Sequence, residues 1–121
     1  GDQTRPNIHI DDITDLYVFL LNHAEVTGVF NAGFENISIL DIAHLVTKQV
    51  PVEISVTASS DPRSYRVNSD KLLATGFKPK KTVEDAISEI VEKFRSGVLK
   101  DEDYFYNLRW MEKTVLNGKT A

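Results

Sequence analysis

Cysteine is missing from all 121 residues. That removes disulfides and thiolate zinc sites and is compatible with a reducing compartment, so a cytoplasmic location is expected. No apolar run approaches the roughly 18 residues of a membrane span, and no secretory h-region is present. A basic excess is missing too. The net charge of −4 and sequence pI near 5.3 argue against a nucleic-acid partner, which calls for a clustered basic face. Glycine is scarce, and none of the six makes even a Gly-x-Gly, so there is no dinucleotide-binding fingerprint. No tyrosine is followed four positions later by lysine, and no Gly-x-Ser-x-Gly elbow occurs. Taken by itself, the chain has no assembled acid–base or nucleophile set. An initial methionine is also missing: the chain opens Gly1-Asp2-Gln3-Thr4-Arg5 and enters patterned sequence at once. We therefore expect a piece of a longer protein.

What is present suits one small globular domain with 41% apolar residues. Asp11 or Asp12 can cap a helix whose apolar stripe is Ile13, Leu16, Tyr17, Leu20 and Leu21. Val29-Phe30-Asn31-Ala32-Gly33 reads as a short strand. Ser38 caps a second helix, with Asp41 completing a capping box and Ile39, Ile42, Ala43 and Val46 on the buried face. Pro51 stops it, and Val52-Glu53-Ile54-Ser55-Val56 alternates like a half-buried strand. Asn68 or Ser69 caps a brief helix ending at Gly76. The longest helix opens at Thr82, carries Val83, Ala86, Ile87, Ile90, Val91 and Phe94 on one face, and stops at Gly97. Irregularly mixed helices and short strands give an α+β fold class. Residues 1–97 form the domain, and residues 98–121 form an acidic, aromatic tail whose Tyr104, Phe105, Tyr106 and Trp110 are expected to pack back on the chain.

The chemistry-bearing run is Asp61-Pro62-Arg63-Ser64-Tyr65-Arg66. It offers an acid and two guanidinium groups, which fork onto phosphate oxygens. Arg63 and Arg66 are three apart in an extended run and should face opposite sides. Asp61 could equally start a turn, and Tyr65 reads as a core residue with a wet tip. Arg5 is a further phosphate candidate. His9, Asp11 and Asp12 could share a divalent ion, but capping of the following helix explains the acids more simply. The Asn36-Ile37-Ser38 sequon lacks any secretion signal, and Lys78, Lys80 and Lys81 read as solvated.

These motifs recur together. Arg5, Ile8-His9-Ile10-Asp11-Asp12, Phe30-Asn31-Ala32-Gly33, the run from Asp61 to Val67, Lys71, Gly76-Phe77-Lys78-Pro79 and Thr82-Val83-Glu84 closely resemble the C-terminal part of the extended short-chain dehydrogenase/reductases. These are the NAD-dependent nucleotide-sugar epimerases and dehydratases, and the similarity runs from Asp2 to about Phe94. The resemblance implies a two-part parent, whose N-terminal Rossmann domain binds NAD and carries the catalytic Ser/Thr, Tyr and Lys. The smaller C-terminal part grips the nucleotide diphosphate of the sugar. On this resemblance the substrate-binding residues are Arg5, Asp61, Arg63 and Arg66, with no catalytic, cofactor or metal residue in this chain. Many relatives carry a second phosphate arginine where this sequence has Ala58.

The leading expectation is a nucleotide-sugar-binding domain, inactive without its Rossmann partner. The alternative is a stand-alone interaction or regulatory module derived from the same fold, because fold does not fix function. A carbohydrate-binding domain unrelated to redox chemistry fits the charged run less well. An orphaned apolar face leads us to expect a homodimer.

Overall fold

The computed structural model describes residues 1–58 and 63–116. Two compact units divide between Val91 and Glu92. In the first, strand β1 (Thr4–Asn7) pairs antiparallel with β2 (Glu35–Ser38), with Arg5 opposite Ile37 and Pro6 opposite Asn36. Helices α1 (Ile10–Asn22), α2 (Ile39–Thr47) and α3 (Asp70–Leu73) complete it, together with the start of α4 (Val83–Arg95). Helices around a two-stranded sheet make an α+β arrangement.

Local chemistry explains the helix starts. Ser38 Oγ accepts the Asp41 N–H at 3.0 Å and donates to the Asp41 carboxylate at 2.6 Å, the reciprocal cap read from the sequence. Thr82 and Asp85 do the same at α4: the Asp85 N–H reaches Thr82 Oγ1 at 3.1 Å and the Thr82 N–H reaches the carboxylate at 2.8 Å. Gly76 and Gly97 adopt φ of +98° and +74°, the left-handed stop that suits glycine.

The core is small. Leu16, Leu72 and Phe77 are its buried centre, with Phe19, Leu20, Phe30, Ala32 and Phe34 packed around them. Phe77 meets Phe19 edge-on at 5.6 Å and stacks on Phe34 at 5.9 Å.

Four expectations need correction. α1 starts at Ile10 and is capped by His9, whose ring accepts the Asp11 N–H; Asp11 and Asp12 are not the cap. Its stripe is also rotated, since Tyr17 and Leu21 are exposed while Asp12 and Leu16 are buried. Residues 29–33 form no ladder, because their polar groups are taken by the start of α3: the Gly33 N–H meets Ser69 Oγ, and Asn31 Nδ2 donates to the Asn68 carbonyl. Residues 52–56 are not a strand either, and Val52 and Val56 lie exposed with no partner strand among the described residues.

The second unit holds a short 3₁₀ turn (Asp103–Phe105), helix α5 (Asn107–Met111) and a π turn (Glu112–Leu116). Within it the Tyr104 and Phe105 rings lie 4.2 Å apart, centre to centre. Tyr106 donates its hydroxyl to Asp101 at 2.8 Å, which pushes its pKa up, and the Arg109 guanidinium lies 4.2 Å from its ring centre.

Candidate functional site

The small sheet organises the charged run. The Tyr65 N–H donates to the Thr4 carbonyl at 3.2 Å, and the Thr4 N–H donates to Ser64 Oγ at 3.0 Å. On the other strand, Asn36 bridges Val67 like a short strand of its own, accepting the Val67 N–H at 2.8 Å and donating to the Val67 carbonyl at 3.0 Å. That duty explains Asn36 without any glycan. Residues 64–69 are thus stitched across both strands and onto Gly33.

Arg5 is tied into the same stitching. Its guanidinium donates to the Thr4 carbonyl at 3.1 Å and to the Arg63 carbonyl, and lies 5.2 Å from the Tyr65 ring centre. Tyr65 is 52% exposed, so it is an open platform for a cation and not a core residue. Arg5 also lines a hollow of about 330 Å³ with Gln3, Ile39, Leu40, Ala43 and residues 54–57. The lining joins apolar Ile39, Leu40 and Ala43 to Arg5, a combination suited to a ligand with an apolar part and an anionic part.

The other expected residues are distributed unevenly. The main chain of Arg63 is joined to Arg5, and its own side chain is exposed. Arg66 lines a second hollow of about 500 Å³, of mixed character, with Phe34, Asn36, Asn68, Asp70 and Leu73. Arg5 and Arg66 therefore serve different hollows. Asp61 lies outside the described residues. Sequence reasoning missed the Ile39, Leu40 and Ala43 wall and the contribution of residues 54–57; the alternating run there was the available signal, read as a strand.

The acids near His9 have separate tasks. Asp12, 1% exposed, accepts the main-chain N–H groups of Lys80 at 2.9 Å and Lys81 at 3.0 Å and so faces away from His9. Glu89, unforeseen from the sequence, takes its place beside His9 and Asp11, and one ligand atom from each of the three falls within 4.8 Å of the others. The His9 Nδ1 lone pair already accepts the Asp11 N–H, which leaves the ring proton on Nε2, 3.6 Å from Glu89. Lys81 holds the other Glu89 oxygen at 2.7 Å. A metal would have to displace a helix cap or that proton, so the cluster is best described as an ion network. The Glu89 carboxylate raises the Lys81 pKa, as Asp15 at 2.7 Å does for Lys80. Neither lysine is a lone solvated cation.

His23 is held in the same explicit way. Its Nδ1 donates to the Phe19 carbonyl at 2.8 Å, and its ring stacks on Phe19 at 4.1 Å. Among the described residues, no helix is long and apolar enough to cross a membrane.

No family model matches the chain. Among curated proteins it is similar to a GDP-L-fucose synthase of Sinorhizobium fredii (strain NBRC 101917 / NGR234). The two are 33% identical over 104 residues, an alignment covering 81% of this chain and 33% of the relative. The chain thus spans about a third of that relative's length.

Proposed function

We propose that this chain is the nucleotide-sugar-binding domain of an NAD-dependent epimerase, dehydratase or reductase. The observation that carries the reading is the likeness to GDP-L-fucose synthase along most of the chain, combined with Arg5 among the residues that line a partly apolar hollow. In this reading Arg5 holds the diphosphate while Ile39, Leu40 and Ala43 support the apolar part of the ligand. Asp61 and Arg63 assist from the adjoining run within a substrate-binding domain of residues 1–97, while Arg66, which lines a separate hollow, stands apart from this grip. NAD and the groups that move hydride belong to a Rossmann body outside this sequence, so the chain alone turns nothing over.

Calorimetry against a panel of nucleotide-diphosphate sugars, and separately against NAD, tests this. The expected result is heat with a nucleotide sugar, none with NAD, and loss of the former in Arg5→Ala. Binding of NAD to the chain alone, or no binding of any nucleotide sugar, would contradict the reading.

A further inference from the structure

The polar groups around the Arg66 hollow are nearly all spent on one another. Asn36 uses both ends of its amide on the Val67 main chain. Ser69 Oγ accepts the Gly33 N–H at 3.1 Å and donates to the Gly33 carbonyl at 3.0 Å. Asn68 Oδ1 accepts the Asp70 N–H, and its Nδ2 donates to Asp70 Oδ2, both at 2.8 Å. Two charged groups of opposite sign are left over. Among the described residues the Arg66 guanidinium has no hydrogen bond or ion pair, and Asp70 Oδ1 has no donor. Both residues line the same hollow of about 500 Å³ without pairing with each other. Phe34, Val67, Leu73 and Pro79 complete its lining with apolar surface.

We infer that this hollow is a site for a small zwitterion, an amino acid with an apolar body, whose carboxylate meets Arg66 and whose ammonium meets Asp70. Charges of both signs on one hollow discriminate between ligand classes. A phosphate or a simple carboxylate gains the guanidinium but brings its own charge toward Asp70, and a simple cation meets the reverse. A molecule carrying both signs answers both groups. Its hydrocarbon then covers apolar lining such as Phe34 and Leu73 and removes that surface from water. The side-chain amides and the Ser69 hydroxyl are already satisfied within the protein, so covering them strands no donor. The same bonds hold the lining in place before a ligand arrives, which lowers the cost of binding. Arg66 and Asp70 are both exposed, so the affinity is weak and falls with salt, with an expected dissociation constant of about 1 mM. The site is independent of the nucleotide-sugar reading, which rests on Arg5 and the other hollow.

Titration of the ¹⁵N-labelled 121-residue chain, followed by amide NMR at pH 7, tests this. The probes are L-leucine and 6-aminohexanoate, which carry the two charges at short and long separation, each to about 20 mM. Controls are 4-methylpentanoate, which lacks the ammonium, and leucinamide, which lacks the carboxylate. Saturable shifts at the amides of Phe34, Val67 and Asp70 are expected with at least one zwitterion, and at least about tenfold weaker binding with both controls. Arg66→Gln and Asp70→Asn should each weaken the zwitterion by a similar factor. Asp70→Asn keeps an oxygen for Asn68, and an unchanged amide spectrum away from the hollow shows that each variant is folded. No saturable response to either zwitterion, equal binding of 4-methylpentanoate or leucinamide, or binding indifferent to both substitutions would overturn the proposal.

Discussion

Asp12 accepts the main-chain N–H of Lys80 at 2.9 Å across 68 residues of sequence, and its second oxygen takes the next N–H at 3.0 Å. The carboxylate joins the first turn of α1 to the approach to α4 and is itself almost wholly buried. Asp12→Ala leaves two amides without acceptors, and the expected loss is about 3 kcal/mol of folding stability. Asp12→Asn keeps one acceptor oxygen and should lose less. Urea denaturation monitored by circular dichroism measures both.

Leu72 is fully buried at the centre of the core. Leu72→Ala removes contacts to a cluster with few members to collapse inward, so a loss of about 2–5 kcal/mol is expected. In so small a domain that is a large share of total stability. The check is the same denaturation curve, with a midpoint shifted well below that of the parent.

Gly33 sits where the chain crosses β1. A Cβ there would come 2.9 Å from Pro6 Cβ, closer than carbon atoms pack. Gly33→Ala is expected to cost about 1–3 kcal/mol by forcing β1 and the Ser69 contact apart. An amide exchange experiment should show faster exchange at Phe34, whose N–H donates to the Asn7 carbonyl at 2.9 Å.

Asp85 has its pKa lowered chiefly by the Thr82 hydroxyl, then by the Thr82 main-chain N–H. The folded pKa is below the unfolded one, so the stabilisation is present above the ordinary aspartate pKa of about 3.9 and is lost as the pH falls through the lowered value. Thr82→Ala should move the Asp85 titration back up toward that ordinary value. A carbon-detected NMR titration of the carboxyl resolves it; an unchanged Asp85 would contradict the capping account.

Arg5→Lys separates charge from shape. Lysine keeps the cation but loses the planar guanidinium, whose Nη1 donates to both the Thr4 and the Arg63 carbonyls. If Arg5 holds a diphosphate, affinity for a nucleotide sugar should drop roughly tenfold in Arg5→Lys and further in Arg5→Ala, since hydrogen bonds to charged groups are worth about 1.5–3 kcal/mol. Calorimetry with equal folding controls reads this. Equal affinity in both variants would remove Arg5 from the site.

The sequence by itself determined the elements whose signals lie within one turn of chain. The Ser38–Asp41 and Thr82–Asp85 caps, and the left-handed stops at Gly76 and Gly97, depend on groups three or four residues apart. Capping energies are local and need no distant partner. The charged run around Arg63 and Arg66 was likewise legible as chemistry, and so was Arg5. Only the tertiary structure decided what required a partner far along the chain. It moved the strand from residues 29–33 to Glu35–Ser38, since a strand exists only by pairing, and β1 offered its edge there. It gave Asp12 to the amides at 80 and 81 rather than to its own helix, and it supplied Glu89 to His9. It also decided which face of α1 went inward, because the helix is apolar on opposite sides and its period alone favours neither.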